Sequence, residues 1–341
     1  MRIAAIGRTQ WLFDSIAALA EQGHDIVLIG TCPAAPEYSV TESDFEDLAK
    51  QLKCSFFCDP KINQQKQLAL IQAARPDIAI SVNWLTLIKQ RTIDLFPHGI
   101  INAHAGDLPR YRGNAVANWA ILSGEPSVVL TLHKMSAALD AGDIVLQKSF
   151  SIGSETYVSD VYDFFDSAIA PMFVEALQGL ENKTLIPSPQ PQDPALALRC
   201  FPRRPQDGLI DWQCSATEIS RLVRASAEPF AGAYTFFNGE KLVVWRAFSK
   251  SLPCPSVGVC GQVIERGADG SVSILTKDGV LVIAEAETLT HGRTLPAKIM
   301  TSLRDRLSTN AEDELYKVNQ RVSALETQIQ QLRQMIEQQK Q

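Results

Sequence analysis

Short apolar segments alternate with amphipathic stretches through the first half of the chain, and this alternation constrains the fold more strongly than any other feature of the sequence. The predicted strands are Arg2 to Ile6, Asp25 to Gly30, Cys54 to Phe57, Ile78 to Val82, Gly99 to Asn102 and Val128 to His133, and the predicted helices are Trp11 to Glu21, Gln64 to Ala74 and Tyr157 to Leu180. The pattern predicts an α/β fold with a doubly wound, mostly parallel sheet. The first turn, Gly7-Arg8-Thr9-Gln10, lacks the glycine triplet of dinucleotide binders, so we do not expect a nucleotide-dependent dehydrogenase.

A proline-rich segment separates this region from a second, β-rich one. Four prolines fall between Ile186 and Pro194, a composition that favours extended chain over helix. The strand patterns after it are Ala233 to Phe237, Lys241 to Ala247, Gly261 to Glu265, Ser271 to Thr276 and Val280 to Glu285, with Asn238-Gly239 and Asp278-Gly279 at hairpin positions. We therefore predict an α/β domain at 1–183, a linker at 184–200 and a small β-barrel of the oligonucleotide-binding type (OB-like) at 201–306.

The C-terminal segment, 311–341, has the pattern of a coiled coil. Its apolar residues alternate at spacings of three and four: Leu315, Val318, Val322, Leu325, Ile329, Leu332 and Ile336. Position a of the heptad is mostly β-branched and position d is mostly leucine, a pattern that favours a coiled coil of two parallel helices. In that arrangement Arg321 at position g would face Glu326 at position e of the partner helix. The pattern predicts a homodimer through residues 315–336. A single amphipathic helix packed on its own domain is the alternative.

Composition limits the class of protein. At 341 residues with 45% hydrophobic residues, the chain can bury one or two full cores. No apolar run is long enough to cross a bilayer, and Met1-Arg2-Ile3 opens directly into a strand without the layout of a signal peptide. The seven cysteines are odd in number and form no Cys-x-x-Cys pair. We therefore expect a cytoplasmic protein with reduced thiols, no membrane partner and no metal site.

Three polar side chains stand where predicted strands end. Asn102 and His104 are two residues apart and so lie on the same side of their strand, while Asp140 follows the next strand in a turn. An amide that donates to a developing oxyanion, an imidazole that shuttles a proton and a carboxylate that stabilises the imidazolium together suit acyl transfer to an amine. Each residue alone also has an ordinary interpretation, as a turn former or a hydrogen-bonded surface group.

These residues belong to a longer signature. The signature of the formyltetrahydrofolate-dependent N-formyltransferases resembles three motifs of this chain: Asn102-x-His104, Pro109-x-Tyr111-Arg112-Gly113 and Leu139-Asp140-x-Gly142-Asp143. The second domain of that family resembles three later segments: Asp207 to Trp212, Leu222 to Ala225 and Pro229 to Ala233. The family includes methionyl-tRNA formyltransferases and enzymes that formylate nucleotide-linked amino sugars. The resemblance implies that 1–183 is the catalytic domain, that Asn102, His104 and Asp140 are catalytic, and that 10-formyltetrahydrofolate supplies the formyl group.

The resemblance also implies which residues contact the folate. By position they are Thr86, Leu87, Ile88, Leu108, Pro109, Asn114, Ser136, Ala137, Ala138 and Leu139. For the first three, packing in the protein core is the alternative interpretation. One loop departs from the family, which usually has His-Gly-Ser-Leu-Leu-Pro where this chain has His104-Ala105-Gly106-Asp107-Leu108-Pro109. The resemblance therefore does not define how this loop meets the folate or the amine.

The acceptor amine is inferred from charge and from local resemblance. The net charge is −6, and the segment from Thr31 to Ala49, where methionyl-tRNA formyltransferases carry a basic insertion, holds five acidic residues and no Lys or Arg. A tRNA partner needs cations opposite its phosphates, so this segment argues against tRNA. The segments from Thr131 to Met135 and from Arg203 to Trp212 look closer to the aminoarabinose-type enzymes. The arginines that could bind phosphate are Arg110, Arg112, Arg203 and Arg204. An equally good interpretation is that they are ordinary surface charges in contact with water.

The sequence therefore predicts an N-formyltransferase that acts on a nucleotide-linked amino sugar. Three alternatives stay open: a methionyl-tRNA formyltransferase, a non-catalytic folate- or nucleotide-binding assembly protein, and a hydrolase that deformylates 10-formyltetrahydrofolate with a similar set of Asn, His and Asp.

Overall fold

The computed structural model describes residues 1–35, 38–252, 257–308 and 311–339, with side chains in the last segment at 315, 316 and 318–334. The chain forms two compact units. The first comprises Met1–Gly153 and Asp160–Arg203, and the second comprises Ser154–Ser159 and the chain from Arg204 onward. Each unit is built on a sheet of its own.

A seven-stranded sheet forms the centre of the first unit. Its strands are β1 (Arg2–Gly7), β2 (Asp25–Thr31), β3 (Ser55–Cys58), β4 (Ile78–Val82), β5 (Ile100–His104), β7 (Ser127–Lys134) and β8 (Ile144–Ser151), while the short β6 (Arg112–Gly113) lies outside it. The order is β3-β2-β1-β4-β5-β7-β8. Strands β1 to β5 pair in parallel, whereas β7 and β8 pair antiparallel. The predicted α/β fold with a mostly parallel sheet is thus confirmed.

The helices from the N-terminus to residue 181 are α1 (Gln10–Glu21), α2 (Glu42–Leu52), α3 (Gln65–Ala74), α4 (Gln90–Ile93), α5 (Val116–Ser123) and α6 (Val158–Glu181). Helix α2 is absent from the sequence prediction because most of its residues are polar. Thr41 and Asp44 form a capping box at its start, and Phe45 and Leu48 bury its apolar face. Some of the acidic residues in this segment therefore stabilise the start of a helix.

The proline-rich segment belongs to the first unit and is hydrogen-bonded to the rest of it. Ser188 pairs with Ile144 in an antiparallel bridge, and Gln190 Nε2 donates to the carbonyl oxygens of Asp140 and Gly142 at 2.9 and 2.7 Å. The short strand β9 (Arg199–Cys200) pairs in parallel with β6. Proline removes donors only at its own positions, so the residues between the prolines remain able to make these contacts.

The second unit contains an antiparallel sheet and one helix packed on it. The helix is α7 (Ala216–Ser226), and the strands are β10 (Ala233–Phe237), β11 (Glu240–Lys250), β12 (Val263–Arg266), β13 (Val272–Leu275), β14 (Val280–Thr288) and β15 (Gly292–Thr294). The order is β10-β11-β14-β13-β12, with β15 on β14. Asn238 and Gly239, both with positive φ, make the predicted two-residue hairpin turn. The antiparallel sheet is confirmed, and its closure into an OB-like barrel stays a prediction.

The C-terminal segment forms one long helix, α8 (Ala311–Gln339). The described apolar residues of its heptad pattern, Leu315, Val318, Val322, Leu325, Ile329 and Leu332, are 42–59% exposed, while the side chain of Ile336 lies outside the described residues. The apolar stripe is therefore not buried on the chain's own domain. Within the part of the chain that the structure describes, no helix is long and apolar enough to cross a membrane.

Candidate active site

Strand β5 carries Asn102 and His104 at its carboxyl end. Its first residues, Ile100 and Ile101, are fully buried and anchor the strand in the core. Ser81 of β4 pairs with Asn102, and His133 and Thr131 of β7 stand directly opposite Asn102 and His104. Because alternate residues of a strand share one face, Asn102 and His104 lie on the same side of the sheet, together with the β7 residues opposite them.

The buried ring of His104 makes two contacts. Its Nε2 lies 2.7 Å from the carbonyl oxygen of Tyr111, which can only accept, so Nε2 carries a proton and donates it. Its Nδ1 lies 3.8 Å from Asp140 Oδ2. Nδ1 is therefore the ring nitrogen that can take up a further proton, and protonation there places a charged N–H opposite a carboxylate.

Asp140 is held through both its backbone and its side chain. It lies between β7 and β8 with φ at 48°, in the left-handed region that Asp tolerates better than most residues. Its Oδ2 accepts from the amide nitrogen of Gly113 at 2.8 Å, and its carbonyl oxygen accepts from Gln190 Nε2. Gln190 in turn accepts from Arg112 Nη2 at 2.6 Å. The proline-rich segment thus helps to fix the carboxylate that faces His104.

A second imidazole, His133, completes this group. Its Nε2 lies 3.3 Å from Asn102 Nδ2 and 3.7 Å from Asp140 Oδ1. Burial, together with the nearby His104, lowers the pKa of His133 to about 4, so its ring is neutral at pH 7. In the sequence, His133 stands out only as part of the segment from Thr131 to Met135. The signal that could have identified it is its place opposite Asn102 in the pairing of β5 with β7.

Two glycines allow the loops to pack closely around these side chains. A Cβ at Gly106 would lie 2.4 Å from the carbonyl oxygen of Tyr111 and 2.6 Å from His104 Nε2, and a Cβ at Gly142 would lie 1.8 Å from the carbonyl oxygen of Lys134. Gly106 is where the family usually has serine. The departure therefore has a steric reason, because this loop lies closer to the His104 ring than a side chain would permit.

The first loop predicted to contact folate follows β4. Thr86 and Leu87 are exposed, whereas Ile88 is 1% exposed and belongs to the core. Ile88 can therefore offer a ligand little more than its backbone. Asn63, which the sequence does not single out, holds the loop: its Nδ2 donates to the carbonyl oxygen of Leu87, and its Oδ1 accepts from the amide nitrogen of Lys89, both at 2.8 Å.

The other predicted folate contacts lie in the loops after β5 and β7. Leu108 is buried and Pro109 half-buried, Asn114 is exposed, Ser136 is half-buried, and Ala137, Ala138 and Leu139 are exposed. Leu85 and Leu87 after β4, and Leu139 after β7, are apolar side chains that are 43–60% exposed. Exposed apolar side chains of this kind suit the faces of a flat heteroaromatic ring.

Arginines and aromatic rings cluster where β6 and β9 pair. In the backbone pairing of the two strands, Arg112 lies opposite Arg199. The guanidinium of Arg199 lies 5.3 Å from the centre of the Phe201 ring, and the guanidinium of Arg203 lies 5.8 Å from the centre of the Trp119 ring. Neither Arg112 nor Arg199 forms an ion pair within the described residues. Arg110, by contrast, is paired with Glu125 at 2.6 Å. Of the predicted phosphate partners in this unit, Arg112 and Arg203 thus lie in one cluster with Arg199.

The cysteines that the structure describes do not add a side chain to the site. Six described cysteines are free thiols, and Cys254 lies outside the described residues. Burial raises the pKa of Cys32 and of Cys200, which makes both poor nucleophiles at neutral pH. Over the described ranges, no three His, Cys, Asp or Glu side chains are grouped so that they could hold a metal ion.

Comparison with known proteins shows which family the chain resembles. The chain is 30% identical over 300 residues to the methionyl-tRNA formyltransferase of Citrifermentans bemidjiense, covering 87% of this chain and 92% of that protein. Among solved structures, HypX from Aquifex aeolicus in complex with tetrahydrofolic acid superposes with a TM-score of 0.58 at 19% identity, over 89% of this chain. This chain spans about half of HypX, 47% of its length.

A third similar protein is the N-formyltransferase from Helicobacter canadensis, solved with folinic acid and dTDP-3-aminofucose. It has a TM-score of 0.59 at 16% identity, with 83% of this chain and 98% of that chain covered. The sequence model of the formyl transferase family matches residues 1–177, and that of the formyl transferase C-terminal domain matches residues 203–302. The chain therefore belongs to the formyl transferase family of enzymes.

Proposed function

We propose that this enzyme transfers the formyl group of 10-formyltetrahydrofolate to a primary amine. The observation that carries the proposal is the arrangement of Asn102, His104 and Asp140, in which the His104 nitrogen that is open to a proton faces the carboxylate at 3.8 Å. Membership of the formyl transferase family supports the reaction class. The exposed leucines after β4 and β7 support a folate ring as the ligand beside it.

The trio suits each proton and charge that this reaction moves. A bond forms between the amine nitrogen and the formyl carbon, and the bond from that carbon to the folate nitrogen breaks. The amide of Asn102 can donate to the formyl oxygen as that oxygen gains negative charge. His104 Nδ1 can accept the proton that the amine loses and return it to the departing nitrogen, and Asp140 stabilises the imidazolium between these steps.

We infer that the amine belongs to a nucleotide-linked amino sugar. The support is the cluster at β6 and β9, where Arg112 and Arg199 have no acidic partner among the described residues and where Phe201 is 62% exposed. Guanidinium groups bind diphosphates through paired hydrogen bonds, and an exposed ring can stack on a base. The cluster is joined to the trio through Gly113, whose amide nitrogen donates to Asp140.

A methionyl-tRNA formyltransferase is the second candidate. It is favoured by the relative from Citrifermentans bemidjiense, which this chain matches over 92% of its length. The acidic segment from Thr31 to Ala49 argues less strongly against tRNA once the capping role of Asp44 is counted.

One assay separates the candidates. Purified full-length protein is given 10-formyltetrahydrofolate with a panel of nucleotide-linked amino sugars or with charged initiator tRNA, and products are identified by mass spectrometry. We expect a formylated sugar, and a rate lower by about 10²- to 10³-fold, still measurable, from Asn102→Ala or His104→Ala. Formylation of tRNA alone would overturn the sugar proposal. Tetrahydrofolate release with no formylated amine would indicate a deformylase instead.

We also propose the organisation of the whole chain: a catalytic domain at 1–183, a linking segment at 184–200, a second domain at 201–306 and a coiled coil at 311–341. The matches to the two family models, at 1–177 and 203–302, support the domain limits. The exposed apolar stripe of α8 supports pairing with a second copy of the chain, which would bury it.

A further inference from the structure

His133 is buried in the first unit beside Asn102, His104 and Asp140 but is not one of these three residues. It is 1% exposed, and its two ring nitrogens face different partners. Nδ1 lies 3.0 Å from the carbonyl oxygen of Lys134, and Nε2 lies 3.3 Å from Asn102 Nδ2. A buried imidazole with both nitrogens engaged has a defined protonation pattern, which the chemistry of its partners determines.

One neutral tautomer satisfies both contacts. The carbonyl of Lys134 can only accept, so the proton of the ring lies on Nδ1. The amide nitrogen of Asn102 can only donate, so Nε2 presents its lone pair to it. The reversed amide, with its oxygen facing Nε2, would place two acceptors against each other. The ring thus distinguishes the two ends of the carboxamide and directs the nitrogen end towards β7.

We propose that His133 is a positioning residue, which accepts a hydrogen bond from Asn102 Nδ2 and so fixes the carboxamide for donation to the formyl oxygen. The catalytic part of this inference rests on the proposed formyl transfer. With one N–H of Nδ2 held by His133, the second N–H remains available to the substrate in a fixed direction. A donor that is already oriented needs no reorganisation when charge develops on the oxygen.

The surroundings of His133 fit this role better than proton transfer. The charged or titratable groups near it are Asp140, with Oδ1 at 3.7 Å, His104, whose ring centre is 6.0 Å away, and Arg112. Nδ1 is occupied by a backbone carbonyl, and Nε2 faces the amide of Asn102. His104 is the ring with a nitrogen open to a further proton, so the two imidazoles have separate tasks.

The kinetic test compares two substitutions at this position. His133→Leu removes the acceptor, and we expect kcat to fall about tenfold to a hundredfold with little change in KM for the folate. His133→Gln can offer an amide oxygen in place of Nε2 and should recover most of kcat. In an Asn102→Ala background, His133→Leu should add little further loss. Equal losses in both backgrounds, or a His133→Gln variant as impaired as His133→Leu, would show that the ring only fills space.

The protonation state of His133 can also be measured by NMR in the wild-type protein without any substrate. The chain has five histidines, so the protein labelled with ¹⁵N-histidine gives few signals, and the loss of one set in His133→Gln assigns them. We expect an Nδ1-protonated, neutral His133 from pH 6 to pH 8. His98→Gln, at an exposed position, is the control and should leave this signal in place. A proton on Nε2, or a charged ring at pH 7, would overturn the proposal, whereas failure of formyl transfer by the wild type would overturn only the proposed function.

Discussion

The carboxylate of Asp140 faces two imidazoles while its Oδ2 accepts from the amide nitrogen of Gly113. Asp140→Asn can keep that hydrogen bond through its amide oxygen, so we expect an unchanged fold by circular dichroism and thermal melting. It removes the negative charge that stabilises the His104 imidazolium in the proposed mechanism. We therefore expect kcat to fall on the order of 10²-fold or more, with KM for the folate little changed. A variant with near-normal kcat would show that Asp140 is only a loop residue.

Gly106 is tested by restoring the family residue. Gly106→Ser places a Cβ against the carbonyl oxygen of Tyr111 and against His104 Nε2, so the loop must move and the ring with it. We expect kcat to fall about tenfold and the free energy of unfolding to fall by about 1–3 kcal/mol. The neighbouring Asp107→Ser is the control, because Asp107 is exposed and its change should leave both values close to those of the wild type. Equal effects of the two changes would contradict the steric explanation.

The lowered pKa of His133 connects stability to pH. A histidine in the unfolded chain titrates near 6.5, whereas burial brings the pKa of His133 in the fold to about 4. Between these values the unfolded state binds a proton that the folded state does not. Stability therefore falls as pH falls through this window, by at most about 1.4 kcal/mol per pH unit from this group. We expect the melting temperature to drop more between pH 7 and pH 5 in the wild type than in His133→Gln. An equal drop in both would show that the ring titrates normally.

At the scale of elements, one side chain orders the loop after β4. Asn63 binds the carbonyl oxygen of Leu87, the amide nitrogen of Lys89 and the hydroxyl of Thr92. If this loop contacts the folate, Asn63→Ala should raise KM for the folate about tenfold with a smaller effect on kcat. Gln64→Ala, at the exposed neighbouring position, is the matched control and should leave KM unchanged. An unchanged KM in Asn63→Ala would place the folate elsewhere.

The elements that the sequence predicts well are those whose burial is continuous. Apart from the exposed Arg2 and the buried Ser81, strands β1 and β4 are apolar and buried on both faces, so their limits can be read from composition. Strand β8, at the sheet edge, alternates partly buried with exposed residues, and α2 is mostly polar, so neither gives a strong pattern. Asn102, His104 and Asp140 follow from a local signature. His133 depends on the register between β5 and β7, which no short motif encodes.

At the scale of the whole molecule, α8 leaves an apolar stripe exposed along its described length. A stripe of this spacing is stabilised by a second helix, which places each apolar side chain between four residues of its partner. We therefore expect light scattering to give the full-length protein a molar mass of twice the 37.5 kDa of one chain. Removal of the helix by ending the chain at Ser308, which keeps the buried Leu307, should leave a single chain in solution while formyl transfer continues, because the trio lies in the other unit.

A point substitution separates the heptad pairing from other dimer contacts. Leu325 at position d is 52% exposed in the single chain, and Leu325→Arg would place a charge in each copy at the centre of the paired stripe. Thr327, two residues on at the outer position f, points away from a partner in the same register. Thr327→Arg adds the same charge to the same helix, so it controls for net charge and helix propensity. Dissociation by Leu325→Arg alone would support the coiled coil. A dimer that survives both Leu325→Arg and the truncation would be held together by another surface of the molecule.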